Sequence, residues 1–429
     1  MKPITVFEHK GIYGLSDANK RVLDHLRGPQ NERLFEVGWS EVRATSFVGV
    51  VQLPQVTLQI LPKMHRTGLP AAECEHEATL NLLFLLSYTR KLDVTEPEIA
   101  LLTEQRAPLS EILYWIFARR LWEAVQREVL RGYVTHEARL GVMKGRWLVA
   151  AQCRRSDGWR RDLFDVAYDE FTEDNLPNRL FKATVEWLSR RANWSDTQRY
   201  LNQLRAAFTD VTDYAPRLED FTEAVRWMVR YRRRAGAGQL YRPLLNMARM
   251  FFTGAGPQLS LGKQDNFAFL FDMNQLFEEF IAEFVRRELR DVWESPGWTF
   301  HAQKSRRALL CDEESKSRFW LRPDVRFESA DGDCPLIVDT KYKRLDISDS
   351  KAGVTEADAY QMFAYKECHQ CPRVVLLYPE SSDKIARDFS ADSDTPPWLE
   401  VRTVNLKRDL RRERKTLENE LRMILSPTK

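Results

Sequence analysis

At 429 residues the chain is too long for one compact core, so about two or three domains are expected. A composition of 43% hydrophobic and 30% charged residues fits a soluble globular protein and excludes a disordered or fibrous one. The net charge of +3 is too small to signal nucleic-acid binding by itself, so any such reading must rest on local charge. The N-terminal MKPITVFEHKG lacks the apolar core and cleavage site of a signal peptide. The most apolar run, Leu80 to Leu86, is far shorter than the roughly 20 residues that span a bilayer. The six cysteines have no framework spacing and read as reduced thiols, so a cytoplasmic protein away from the membrane is expected. Cys368 and Cys371 form a lone CxxC, and no second ligand pair completes a zinc site.

The first 65 residues read as β-rich. Around Val42 to Leu61, VRATSFVGVVQLPQVTLQILPK alternates β-branched and polar residues and is interrupted by Pro54. From about Glu75 the period becomes helical: Ala78 to Lys91, Ser110 to Leu130, Asn178 to Ala192 and Phe221 to Arg234. Pro108, just ahead of Ser110 and Glu111, marks a helix start. Glycine, proline and polar residues gather in TGAGPQLSLGKQ, Thr253 to Gln264, which reads as a domain boundary. Beyond it come a helix (Phe267 to Leu289), strands (Trp298 to Ala308, Arg318 to Glu328, Leu336 to Tyr342) and a helix (Thr355 to Cys368). Two further strands (Arg373 to Tyr378, Glu400 to Asn405) and a charged helix complete the chain. The expectation is a multidomain α+β protein: a β-rich domain over 1–108, a helical middle region over 109–258 and a C-terminal α/β domain over 265–429.

Chemistry concentrates in RFWLRPDVRFESADGDCPLIVDTKYKRL. Asp331 and Gly332 mark a tight turn, so the segment reads as a β-hairpin. On its second strand Ile337, Asp339 and Lys341 share one side, and Asp324 on the first strand reaches that side in a suitable register. Phosphodiester hydrolysis needs a divalent cation to neutralise the scissile phosphate and acidify a water. Mg2+ is held by one or two carboxylates and keeps several waters. Asp324 and Asp339 are the candidate ligands, with the Thr340 carbonyl as a third and Lys341 either orienting the water or stabilising developing negative charge. Glu278, in the helix NQLFEEF, is a further carboxylate for the cation or its water. Gln361 and Tyr365 share a helix face and are expected to reach the water or the phosphate. An Asp and a Lys two apart on a strand commonly form only a solvated ion pair, worth under about 1 kcal/mol. Here Leu336, Ile337 and Val338 precede the pair, and an ionised pair at the end of a buried strand is costly unless compensated.

With Pro323–Asp324, Asp339–Lys341 and Gln361–Tyr365 in place, the segment resembles the PD-(D/E)xK nuclease superfamily. SFVGVVQLPQVTLQILPK, DEFTEDNLPNRLFKATVEWL, YRPLLNMARMFF and MNQLFEEFI resemble, in order, successive motifs of the McrC family, from about residue 42 to about 380. McrC is the nuclease subunit of McrBC-type modification-dependent restriction systems. The resemblance implies a restriction-endonuclease-like C-terminal domain that cuts double-stranded DNA with Mg2+. It also implies a hexameric McrB-type AAA+ GTPase partner, whose hydrolysis is stimulated by the N-terminal, partner-docking part of the chain. No GxxxxGK[ST] pattern is present, so this chain is expected to bind no nucleotide itself. The rival expectations are a catalytically inactive scaffold that regulates an AAA+ ring, and a stand-alone PD-(D/E)xK repair nuclease.

Outside the motifs, KGRWLVAAQCRRSDGWRR carries Lys144, Arg146, Arg154, Arg155, Arg160 and Arg161, interleaved with Trp147 and Trp159. This is a candidate DNA-contacting segment, and equally an interdomain or partner-facing one. Arg230 to Arg234 and Lys407 to Lys415 read as solvated helical stretches. Asn178 and Arg179 read as structural anchors, and His136 and His301 have no partner pattern of ligands.

Overall fold

The computed structural model describes residues 3–426 apart from 28–31, 54–55, 90–94, 96, 100–101, 103–105, 161, 232–236, 254–266, 304–306, 314–315, 344, 346–350, 352, 382–383 and 393. The architecture is mixed α and β with several sheets. Two compact units divide the chain: Met1–Arg106 together with Leu270–Lys429, and Ala107–Phe269. The boundary expected between Thr253 and Gln264 lies, beyond Thr253, outside the described residues.

The chain opens with β1 (Ile4–Phe7), β2 (Gly11–Tyr13), α1 (Asp17–His25), β3 (Phe35–Val37), β4 (Glu41–Ala44), β5 (Phe47–Gln52), β6 (Thr57–Leu61) and α2 (Ala71–Tyr88). β5 and β6 pair antiparallel, with Gly49 opposite Ile60, and β1 adds parallel to β6. Five consecutive buried residues, Phe47 to Val51, mark β5 as a strand covered on both faces. α2 is apolar nearly all round, with Leu82 to Leu86 fully buried, as a core helix requires. No helix among the described residues is long and apolar enough to cross a membrane. Among the buried polar residues of α2, Glu77, Thr79 and Asn81, the last is the least exposed. Its Nδ2 donates to the carbonyls of Met64 (2.7 Å) and Arg408 (2.8 Å), and its Oδ1 accepts from Leu410 N (3.1 Å).

The second unit contains α3 (Leu109–Arg127), β7 (Gly132–Leu140), β8 (Arg146–Trp147), α4 (Val149–Cys153), β9 (Phe164–Thr172), α5 (Leu176–Ser189), α6 (Ser195–Ala207), α7 (Leu218–Tyr231) and α8 (Ala237–Thr253). The middle region, expected to be helical, also carries strands. β7 and β9 form a nine-residue antiparallel ribbon from Gly132 opposite Thr172 to Leu140 opposite Phe164, and β8 lines the other edge of β9. Most of β7 is exposed or half-buried, so GYVTHEARL carries none of the apolar alternation that marks a core strand. Asn175 caps α5 by accepting from Asn178 N, and Asn178 Nδ2 donates to the carbonyls of Leu130 and Glu173. Arg179 forks onto Asp174 at 2.7 and 2.8 Å, so both residues anchor the helix start. The cationic run Arg230 to Arg234 lies, except for the backbone of Arg230 and Tyr231, outside the described residues.

The chain re-enters the first unit through β10 (Phe267–Asp272), α9 (Met273–Glu288), α10 (Arg290–Glu294), β11 (Thr299–Ala302), β12 (Ala308–Cys311), β13 (Ser317–Trp320), β14 (Val325–Glu328), β15 (Ile337–Thr340), α11 (Glu356–His369), β16 (Val374–Pro379), β17 (Ala386–Phe389), β18 (Leu399–Val404) and α12 (Arg414–Leu425). Where one helix was expected from Phe267, FAFLFD is a strand with Phe269 and Phe271 buried, and Asp272 then caps α9 by accepting from Asn274 N. β10 completes the sheet β1-β6-β5-β10. The larger sheet runs β11-β14-β15-β16-β18-β17, with β15, β16 and β18 parallel at its centre and antiparallel strands at both edges. α11 links β15 to β16, and α9 packs on β15. The stretch Lys407 to Lys415 is largely turn, because α12 begins only at Arg414, and Lys407 Nζ donates to the Ser381 carbonyl.

Candidate active site

The β14–β15 hairpin brings the first two carboxylates together. Its turn closes with Gly332 N donating to Ser329 O (3.1 Å) and Ser329 N donating to Asp333 O (2.9 Å). Gly332 sits at φ +88°, a conformation that side chains resist. Val325 lies opposite Val338, which sets Asp324, one residue before β14, level with Asp339. Asp324 is 8% exposed and Asp339 1%. Thr340 fixes Asp324, since its N and Oγ1 both donate to Asp324 Oδ2 at 2.7 Å. Lys341 Nζ lies 2.7 Å from Asp339 Oδ2, yet that buried oxygen has no aligned hydrogen-bond donor among the described residues.

Glu278 joins them from α9 and shares a hydrogen bond with Asp324. Its other partner is Gln303, whose Nε2 donates to Glu278 Oε1 and whose backbone N donates to Asp324 O at 3.0 Å. Gln303 holds a left-handed φ of +48°, which is uncommon for a residue with a side chain. Sequence reading missed Gln303, because its only signal is this backbone conformation.

Three acids in a buried space cannot all ionise freely. Burial, then the hydrogen bond and charge of Asp324, pushes the Glu278 carboxyl up to about 8, while Gln303 pulls the other way. Burial and the Asp324 charge push Asp339 up to about 7 against the opposing pull of Lys341. Burial disfavours the Lys341 ammonium, but the charges of Asp339 and Asp324 outweigh it and hold this lysine above its ordinary value. Among the described residues no three His, Cys, Asp or Glu side chains form a ready cage around a cation. The carboxylates are turned instead onto Thr340, Lys341 and Gln303.

The other candidates fall in two places. Gln361 Nε2 donates to Tyr365 Oη (2.9 Å), which donates to the carbonyl of Arg322 (3.1 Å), two residues before Asp324. In this structure the pair braces the backbone leading into Asp324. Tyr378, unnoticed in the sequence, stands on β16 one residue past Leu377, which pairs with Thr340. Its hydroxyl is buried without a partner among the described residues, and burial followed by the Asp358 and Asp339 charges raises it above the ordinary tyrosine value. The basic segment belongs to the second unit. There Lys144 covers the Tyr168 ring (3.8 Å), Arg155 pairs with Asp165 (3.0 Å) and Arg160 pairs with Asp162 (2.5 Å). Arg146 is on β8, Arg154 ends α4, and Arg161 lies outside the described residues. His301 is accounted for by Glu328 at 3.3 Å, and His136 stacks on Tyr168.

No curated protein matches the chain. Its structure is similar to one described as a refined half-complex from a tetradecameric assembly of Thermococcus gammatolerans McrB AAA+ hexamers with bound McrC. That likeness has a TM-score of 0.62 and 22% identity, covering 97% of this chain and all of the other. A cryo-EM structure of the Thermococcus gammatolerans McrBC complex is also similar, with a TM-score of 0.47 and 25% identity over 67% of this chain and 88% of that one. The family profile for McrBC 5-methylcytosine restriction system components matches residues 42–379, the span over which the motifs were read. The chain therefore belongs to the family of McrBC 5-methylcytosine restriction system components.

Proposed function

We propose that this chain is the McrC-type endonuclease subunit of its restriction system, hydrolysing DNA phosphodiester bonds with Mg2+ at a PD-(D/E)xK site. One observation carries the reading: Glu278, Asp324 and Asp339 converge beside Lys341, and two of these carboxyls are pushed up by their own burial and mutual repulsion. Strain of this kind persists at functional sites because a ligand relieves it. The residues suit Mg2+ in kind. They offer hard carboxylate oxygens, one or two of which suffice for an ion that keeps its waters, and a buried Asp339 Oδ2 that lacks an aligned donor. Asp324, Asp339 and the Thr340 carbonyl would hold the ion, which supplies neutralisation of the scissile phosphate and acidification of a water. Glu278 would accept a hydrogen bond from a water at the ion, and Lys341 would face the negative charge that develops on the phosphate. Thr340, Gln303 and the Gln361–Tyr365 pair hold these groups in register. The partner follows from family membership and from the similar Thermococcus assembly, in which McrB AAA+ hexamers hold McrC. A McrB-like AAA+ GTPase hexamer engages this chain, and its hydrolysis drives cleavage.

The test is plasmid cleavage with Mg2+ by wild type, Asp339→Ala and Lys341→Ala, each with and without a McrB-like AAA+ protein and GTP. Partner-dependent cleavage that both substitutions abolish, with GTP hydrolysis retained, is the expected result. A wild type that stimulates hydrolysis but cuts neither methylated nor unmethylated DNA would show a regulatory scaffold instead.

A further inference from the structure

Tyr378 stands where the candidate active site meets the core. On the parallel pair β15–β16, Ile337 lies opposite Val374 and Asp339 opposite Leu376. The ladder runs one step past β15, because Lys341 N donates to Leu377 O (2.9 Å) just as Ile337 N donates to Arg373 O (3.1 Å). Lys341 is therefore level with Tyr378. Side chains two apart on a strand share a face, and level residues of neighbouring strands point the same way. Asp339, Lys341 and Tyr378 thus stand on one side of the sheet. It is the side that α11 covers, where Tyr378 joins the buried cluster of Ile337, Met362, Tyr365 and Leu376.

The ring belongs in that apolar cluster, but the hydroxyl does not. Tyr378 is fully buried, and among the described residues its Oη has no hydrogen-bond partner. An unpartnered buried hydroxyl is costly, and phenylalanine would fill the same space without the cost. Several polar groups near it are already engaged. Thr403, opposite Tyr378 on β18, accepts from Ile385 N (2.8 Å). Tyr365 is held between Gln361 and the Arg322 carbonyl. Asp358, whose charge reaches Tyr378, accepts from Thr355 Oγ1 (2.6 Å) and is paired with Lys343 (3.2 Å). Asp339 differs. Its charge also reaches Tyr378, and its Oδ2 is a buried oxygen without an aligned donor among the described residues. One of these two groups offers a proton and the other accepts one. They lie two residues along the strand and one strand apart, about 8 Å between Cα atoms. A buried water makes about three hydrogen bonds to groups otherwise unsatisfied, and one between these side chains would serve both.

We infer that Tyr378 is a positioning residue for Asp339: its hydroxyl donates to a buried water that donates in turn to Asp339 Oδ2, fixing the carboxylate so that its remaining lone pairs face a cation. The inference deepens the nuclease reading and rests on it for the role of Asp339 as a ligand. Groups that hydrogen-bond a metal-binding carboxylate set its orientation, and losing one weakens metal binding about 10–100-fold. Tyr378 acts through Asp339 alone.

Tyr378→Phe removes the hydroxyl and keeps the ring, so the fold is preserved. Calorimetric titration of the full-length protein with Mg2+, without DNA, reads the cation, and thermal melting in EDTA reads the protein alone. The substitution should weaken Mg2+ binding about 10-fold. It should also lower the melting temperature by about 2–4 °C, the loss of about one hydrogen bond in a unit of this size. In an Asp339→Ala background it should not lower the melting temperature, because the bridge has lost its far end. Tyr360→Phe, at an exposed position of α11, should change neither reading. A tyrosine that only fills the core gives the opposite sign: removing its unpartnered hydroxyl raises the melting temperature and leaves the affinity alone. An Mg2+ affinity within about two-fold of wild type, a melting temperature that holds or rises, or an equal fall in the Asp339→Ala background would overturn the inference. No Mg2+ binding by wild type would count against the cation site itself. The melting series would then decide Tyr378, since a fall that depends on Asp339 keeps it as the support of that carboxyl. DNA cleavage by a protein in which Tyr378→Phe shows the core-filling sign keeps the nuclease reading and loses the positioning role.

Discussion

Asn81 is the most consequential polar residue of the core, and replacing it with Leu should loosen the first unit by a calculable amount. The side chain is 2% exposed and joins α2 to both the Met64 region and the segment entering α12. Asn81→Leu removes two short donated hydrogen bonds and one accepted one. Each is worth about 1 kcal/mol net, and the Leu410 N–H left buried without an acceptor adds about 1–3 kcal/mol. The expected loss is about 4–6 kcal/mol, or a fall of about 10 °C in the melting of the Met1–Arg106 and Leu270–Lys429 unit. Asn81→Asp keeps the volume and the acceptor for Leu410 but sets a buried carboxyl against the Met64 and Arg408 carbonyls, so it should destabilise as well, and more as pH rises and the carboxyl ionises. Urea titration followed by tryptophan fluorescence and differential scanning calorimetry would measure both, and the Ala107–Phe269 unit serves as an internal reference whose transition should not move. A loss below about 1 kcal/mol for Asn81→Leu would refute the reasoning, since it would mean the freed groups find other partners at once.

Other outcomes follow from the same physics. Asp339→Asn should abolish cleavage and raise the melting temperature in EDTA near neutral pH, because it removes a buried carboxyl that burial has pushed up to about 7. The ceiling is about 4 kcal/mol, and an unchanged or lower melting point would contradict it. For wild type without metal the sign is set by the raised value. Stability is full where Asp339 is protonated and falls as pH rises from the ordinary carboxylate range through about 7, a slope that Asp339→Asn should reduce. His369 acts in the other direction. Burial, with the charges of Arg326 and Arg307, depresses it to about 4, so stability should fall as pH drops from about 6.5 to 4 by up to about 3 kcal/mol. His369→Gln should flatten that acid limb in melts recorded across the range. Gly332→Ala should cost about 1–2 kcal/mol in urea unfolding through its left-handed backbone alone, since a Cβ there meets no atom within 4 Å.

Local pattern made the β14–β15 hairpin legible: Asp331–Gly332 marks the turn and Leu336 to Val338 the buried strand, and both stand where they were read. Three features were not legible, each for a physical reason. FAFLFD alternates large apolar residues at period two, but the helix that follows it is apolar too, so the change of period was hidden. The β7–β9 ribbon has little buried surface and so left no hydrophobic signature. The site itself depends on pairings that no local window contains. Glu278 meets Asp324 across separate elements, Gln303 is defined by its φ, and Tyr378 reaches the face of Asp339 only because β16 lies parallel beside β15. The spacing of Gln361 and Tyr365 was visible, while the use of Tyr365 as a brace on Arg322 required the tertiary structure.

The division of the first unit into two sequence segments has a consequence during synthesis. Residues up to Arg106 leave the ribosome with α2, a helix that can pack on β6 at once but whose contacts with α9 wait until Leu270 and beyond are made. At about 5–20 residues per second the intervening Ala107–Phe269 occupies the ribosome for about 8–30 s. That unit can complete its own contacts as it emerges, whereas the segment ahead of it must wait with the side of α2 that meets α9 uncovered. Nascent chains stalled before Leu270 should therefore be the ones that recruit chaperones or aggregate. The yield of soluble protein should also depend on translation speed across the middle of the message rather than at its start.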